Sequence, residues 1–127
     1  MRLLLDTHAL LWWLAGDRRL SVRARRAIAD DDNTVLVSAA SAWEISTKHR
    51  LGKLDASAVI GRLSSVLASQ GFDSLDMTVD HAERAGALPG EHRDPVDRML
   101  AAQAQAANLT LVSNDAAFDS YGVTRMW

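Results

Sequence analysis

The chain of 127 residues contains no cysteine. That absence removes a disulfide framework and every thiolate metal site, and a reducing, cytoplasmic setting is the expectation. An excess of charge of one sign is also missing: 14 lysines and arginines face 16 aspartates and glutamates, a formal net charge of −2. Nothing in that balance attracts nucleic acid globally, so such a partner must be met by a local basic patch or through a metal ion. No long hydrophobic run is present. The opening "MRLLLDTHALLWWLAG" has the basic-then-apolar character of a secretory leader, but Asp6 and His8 interrupt it. Its continuous apolar piece, residues 9–15, is far too short to span a bilayer, so no membrane association is expected. Internal repeats, low-complexity tracts, a glycine-rich phosphate loop and a Gly-x-Ser-x-Gly elbow are all absent. The four histidines, His8, His49, His81 and His92, lack metal-ligand spacing and read as surface or capping residues.

What is there is an alternation. A hydrophobic fraction of 48% and a charged fraction of 24% are ordinary globular values, and one domain over residues 1–127 is the simplest organisation. The apolar run at residues 2–5 reads as a strand buried on both faces. Asp6-Thr7 can cap a helix through Leu14, which Gly16 would stop. Ser21 opens a second helix, and residues 34–37 form a second strand rich in β-branched side chains. Ser41 is expected to start the helix "SAWEISTKHR", Ser57 the helix "SAVIGRLSSVLASQ" ended by Gly71, and Asp80 the helix "DHAERAGAL". Short strands are expected at 72–77, 109–112 and 122–126, with a long helix "VDRMLAAQAQAAN" before the second of these. Strands alternating with helices predict an α/β fold with a small, mainly parallel sheet flanked by helices.

Each notable acid has a plain structural reading. Asp94 followed by Pro95 is a standard helix start, and Asp97 then lies in the first turn, where the helix dipole favours an anion. Ser41 and Glu44 have capping-box spacing, while Asp6 and Asp115 follow strands as turn or cap residues do. Their joint pattern says more. Asp6, Glu44 and Asp115 each follow a predicted strand, and Asp97 opens the helix leading into another. In a parallel sheet the carboxyl ends share one edge, where ligands bind, so the four acids should converge. Close carboxylates raise one another's pKa, and a divalent cation removes that conflict. Oxygen-only donors suit Mg²⁺ or Mn²⁺ rather than Zn²⁺. A hard cation on carboxylates, with open positions, is an arrangement that hydrolyses phosphodiesters.

The blocks "LLLDTHALLWWL", "SAASAWEI" with "GKL", "HRDPVDRMLAAQA" and "LTLVSNDAAF" occur in order between residues 3 and 118. Together they resemble the PIN domain, and more narrowly the VapC-type toxins of bacterial toxin–antitoxin pairs. The resemblance implies a metal-dependent endoribonuclease whose site comprises Asp6, Glu44, Asp97 and Asp115. Asp6 and Asp97 would be principal ligands of Mg²⁺ (or Mn²⁺), Glu44 would complete the site or orient water, and Asp115 would support it. It further implies an RNA substrate, a homodimer and a cognate antitoxin that covers the active-site groove. Val96 departs from the family, where an aromatic is frequent; that touches packing more than chemistry.

Residues outside this set have weaker assignments. Arg18, Arg19, Arg23, Arg25 and Arg26 read best as a solvated helix face, while Lys48, His49, Arg50 and Lys53 are candidates for RNA phosphates. Arg93 and Arg98 flank the acid pair, either at the rim of the site or only offsetting its charge. Leu10 to Leu14, with Trp12 and Trp13, are apolar all round a helix, and the surplus points to a partner surface. Trp43 and Trp127 are expected in core and terminus packing. A receiver-like regulatory domain binding Mg²⁺ is the main rival, but it would carry an acidic pair after the first strand and a lysine after a late one. A phosphatase with Asp6 as nucleophile would need an acid where His8 stands. A non-catalytic binding domain of the same fold stays open.

Overall fold

The structure, a computed structural model, describes residues 1–127. In chain order it comprises β1 (Arg2–Leu5), α1 (Thr7–Ala15), α2 (Val22–Ala29), β2 (Thr34–Ser38), α3 (Ala39–Arg50) and α4 (Leu63–Ser69). There follow β3 (Asp73–Leu75), α5 (Val79–Ala87), α6 (Pro95–Ala107), β4 (Thr110–Val112), a 3₁₀ turn (Ala116–Tyr121) and β5 (Arg125–Met126). All five strands pair in parallel, in the order β3-β2-β1-β4-β5. The expected parallel α/β architecture is therefore the observed one.

Strand periodicity decides how β1 is buried. Leu3 and Leu5 point into one core with Leu10 of α1, Ile28 of α2, Val35 and Val37 of β2 and Leu67 of α4. Leu4 points the other way, onto Leu100, Ala101 and Ala104 of α6 with Phe118 and Tyr121. Alternate side chains of one strand thus serve two cores, which is why the run is apolar without interruption. No helix is long and apolar enough to cross a membrane.

Several boundaries differ from expectation, each for a local reason. The helix read as starting at Ser41 begins at Ala39, because Ser38, at the end of β2, supplies the cap: its hydroxyl accepts from the Ala40 N–H at 3.0 Å. Thr78, not Asp80, caps α5, and His81 reaches back to the Thr78 N–H in a capping box. The helix expected from Ser57 is confined to α4, since Gly61 sits at φ +76°, in the left-handed region that a continuing right-handed helix does not use. A 3₁₀ turn follows β4 where the sequence pattern marks no element.

The order of strands fixes where a ligand can enter. The chain moves from β1 outward to β2 and β3, then returns to the opposite side of β1 with β4 and β5. The carboxyl ends of β1 and β4 flank that reversal, and connections leave it in opposite directions, opening a crevice. Helices return antiparallel to the strands, so α1, α3 and α6 begin on this same edge.

Candidate active site

Two helix starts, the middle of α3 and one turn deliver acids to that crevice. Asp6, the N-cap of α1, accepts from the Ala9 N–H at 2.7 Å. Asp94, the N-cap of α6, accepts from Val96 and Asp97 N–H at 2.9 and 3.1 Å, with Pro95 at the first helical position. Asp115 caps the 3₁₀ turn through Ala117 N–H at 2.9 Å. The capping readings of Asp6, Asp94 and Asp115 are therefore correct, and capping accounts for one oxygen of each. The helix N-termini that those oxygens satisfy also place partial positive charge beneath the cluster.

A cleft of about 360 Å³ lies over these starts, lined by Asp6, Thr7, His8, Glu44, Lys48, Asp94, Asp97, Asn114, Asp115 and Phe118. All four sequence-predicted acids, Asp6, Glu44, Asp97 and Asp115, line it, and Asp94 joins them. Glu44 is not part of a capping box. Ser41 lies inside α3, fully buried, where its hydroxyl accepts from Thr7 Oγ1 at 3.0 Å and so ties α3 to the start of α1. Glu44 is thereby left free to face the cleft, where Lys48 one turn later pairs with it at 3.2 Å.

The electrostatics of the cleft are unfavourable to its own charges. Burial pushes the Asp6 carboxyl above its ordinary range, against the opposing pull of the Ser113 hydroxyl and the Ala9 N–H. Asp97 is raised chiefly by burial, with Asp94 and Glu44 adding repulsion and His92 working against it. His92 is the clearest correction to the sequence reading, which placed it at the surface or in a cap. Its Nε2 lies 2.8 Å from Asp97 Oδ2, and its ring rests edge-on to Tyr121. The ring fixes one carboxylate oxygen and leaves Oδ1 without a protein partner. Arg98 does not line the cleft: its guanidinium donates to the carbonyls of Ala85 and His92 at 3.0 Å, and also to those of Gly86 and Leu88. It straps the 88–93 segment that carries His92 onto α6.

The donor set fits a hard divalent cation in type. All five acids in the cleft are carboxylates, two have raised pKa values, and Lys48, His8 and His92 are the basic groups that work against this. No three of the acid and imidazole groups stand close enough together to clasp an ion as they are. Glu44 and Asp97 each have a protein partner, Lys48 and His92, so a bound ion would have to draw the acids in.

The remaining expectations fall out variously. Arg19 pairs with Asp17 at 2.7 Å and covers the Trp12 ring at 5.1 Å, while Arg18, Arg23 and Arg26 are exposed. His49 accepts from the Ala56 N–H, and Arg93 is exposed. On α1, Leu10 is buried, while Leu11, Trp12 and Leu14 line an apolar groove of about 420 Å³ with Leu54 and Val59. Trp127 packs edge-on against Trp12, as terminus packing requires. Trp43 is no core residue: it is 59% exposed, because Ser41 and Ile45 occupy the buried stripe of α3 and Trp43 lies about 200° around the helix from both.

A family model described as the PIN domain matches residues 3–123. Ribonuclease VapC22 of Mycobacterium tuberculosis is 31% identical over 113 residues, 88% of this chain and 85% of that protein. Among solved structures, VapBC2 from Rickettsia felis, bound to a DNA fragment from its promoter, superposes with a TM-score of 0.72 at 19% identity, covering 99% of this chain and 98% of that one. VapC20 of M. tuberculosis, a sarcin–ricin-loop-cleaving toxin, gives 0.69 at 20% identity over 96% of each chain. These two structural likenesses speak to the fold.

Proposed function

The chain belongs to the PIN domain family, among its VapC-type members, and we propose that it is a metal-dependent endoribonuclease, the toxin of a toxin–antitoxin pair. The observation that carries the reading is the cleft itself. Five carboxylates from four separate segments meet at the strand-order reversal, and two of them have pKa values raised mainly by burial. Such a site is costly unless a cation is its purpose.

Asp6 and Asp97 would be the principal ligands of Mg²⁺ or Mn²⁺, with Glu44 and Asp115 completing the set. A bound divalent cation supplies Lewis-acid polarisation of a phosphoryl oxygen and lowers the pKa of water at neutral pH. His92 orients Asp97 by holding Oδ2, and Ser113 and Ala9 orient Asp6. Lys48, 41% exposed at its side chain and shared between Glu44 and the cleft mouth, can meet a phosphate as it enters. Phe118, buried at the cleft floor, shields the carboxylates from water on that side.

The apolar groove beside α1 opens next to His8, which lines both it and the acidic cleft. A cognate antitoxin seated there would also cover the catalytic mouth; the VapBC2 complex of R. felis is of that toxin–antitoxin class. A homodimer is the proposed assembly. The test is incubation of the purified, partner-free chain with single-stranded RNA, and with DNA of the same sequence, in Mn²⁺ or Mg²⁺ with and without chelator. Cation-dependent cleavage of RNA alone is expected. Cleavage of DNA in preference to RNA would reject the substrate class, and cleavage undiminished by chelator would reject the cation.

A further inference from the structure

Beside the acidic cleft is a second, smaller recess of about 210 Å³, lined by Trp43, Glu44, Thr47, Lys48, Asp94, Pro95 and Val96. Glu44, Lys48 and Asp94 belong to both, so the two share a wall. The geometry of α3 explains the adjacency. Glu44 and Lys48 form one stripe of the helix and Trp43 and Thr47 the next, turned about 100° away. The Trp43 side chain, 59% exposed, forms the apolar side of the recess with Pro95 and Val96, at the cap of α6.

We propose that Trp43 is a stacking platform for one unpaired base of the RNA, seated next to the phosphate that the cleft engages. This rests on the ribonuclease reading and adds to it a recognition subsite. Three features favour a base. The recess is smaller than the roughly 300–1,000 Å³ of pockets enclosing drug-sized ligands, leaving room for one planar ring. Its only cation, Lys48, paired with Glu44 at 3.2 Å and 41% exposed, lines both the recess and the cleft, where a nucleotide's phosphate would follow its base. The other large exposed apolar side chains, Met1, Val22, Leu51, Ile60, Met77 and Val79, do not line it. A lone tryptophan in a polar rim falls far short of the roughly 800 Å² per partner of a stable protein interface. Stacking accepts any base, because every base presents a π-face, so the subsite would position the strand more than select a sequence.

The test uses the full chain with its carboxylates intact and Ca²⁺ in place of Mn²⁺, a hard cation that oxygen ligands hold but that is a poor substitute for Mg²⁺ or Mn²⁺ in hydrolysis, and a ten-nucleotide single-stranded RNA in which the base is removed at each position in turn. Trp43→Ala should weaken binding of intact RNA by about tenfold or more, and Trp43→Phe should restore most of it. One abasic position should weaken binding to the tryptophan protein and make no difference to the alanine variant. Equal loss for intact and abasic RNA, or no loss at all, overturns the proposal. So does a shift from dimer to monomer on Trp43→Ala, measured by sedimentation, which would assign the face to a second copy. In those cases the wild-type chain still cuts RNA. If the wild-type chain neither cuts nor binds RNA, the ribonuclease reading falls and the subsite with it.

Discussion

Asp6 and Asp97 carry a cost that the proposed cation would relieve. Both have folded-state pKa values raised above the unfolded value near 3.8, mainly by burial. The folded chain therefore holds these protons more tightly than the unfolded chain. As pH rises above that value toward neutrality, the unfolded state releases protons first and stability falls. Asp6→Asn and Asp97→Asn remove that slope while keeping the hydrogen bonds: asparagine caps a helix about as well as aspartate, and it can still meet His92. In chelator, each variant should melt higher than wild type at pH 7, and the gap should close as pH approaches 4. A wild type that melts higher than both variants at pH 7 would show the carboxylates to be structural. His92 acts one step back from the chemistry. Replacing it with alanine should lower cleavage by about 10–100-fold, the usual cost of losing a partner that orients a ligand, with little change in melting temperature.

At the scale of elements, α6 and the segment before it depend on one guanidinium. Arg98 donates to four backbone carbonyls, at Ala85, Gly86, Leu88 and His92, a pattern that a planar, five-donor group can make and a lysine cannot. Arg98→Lys should cost about 1–3 kcal/mol in denaturant unfolding, because carbonyls are left unpaired, and should speed amide exchange in residues 88–93. Unchanged exchange there would show that the loop holds itself. The same elements show what a sequence reveals. Asp94-Pro95 announced its helix, and the acids after strands announced their common edge, because both follow from local chemistry and parallel topology. Ser41 misled because its capping-box spacing with Glu44 is real, yet Ser38 lies three residues earlier and ends the strand. Gly61 shortened a helix through its left-handed backbone, which periodicity does not register. His92 was missed because its partner is five residues away across a helix cap, a pairing set by the path of the loop. Trp43 was placed in the core by its residue type, while the register of α3 against Ser41 and Ile45 turns it outward.

For the whole molecule, topology and charge act together. A five-stranded parallel sheet, covered on both faces, aims the starts of α1, α3 and α6 at one edge. The net charge of −2 and the acid-lined cleft repel a polyanion, so RNA should approach productively only once a cation occupies the site. Binding that ion selectively to the folded state must stabilise it, by about 2.7 kcal/mol at one hundred times the dissociation constant. Mn²⁺ should thus raise the melting temperature of wild type and leave Asp97→Asn nearly unmoved. The most direct test of the whole scheme joins that shift to catalysis: RNA cleavage by wild type and Asp97→Asn, each titrated with Mn²⁺, beside their melting temperatures. Cleavage that rises with the wild-type melting shift, and is lost in a folded Asp97→Asn by more than 100-fold, is the expected result. Equal cleavage by the two proteins, or cleavage that persists in chelator, would contradict it.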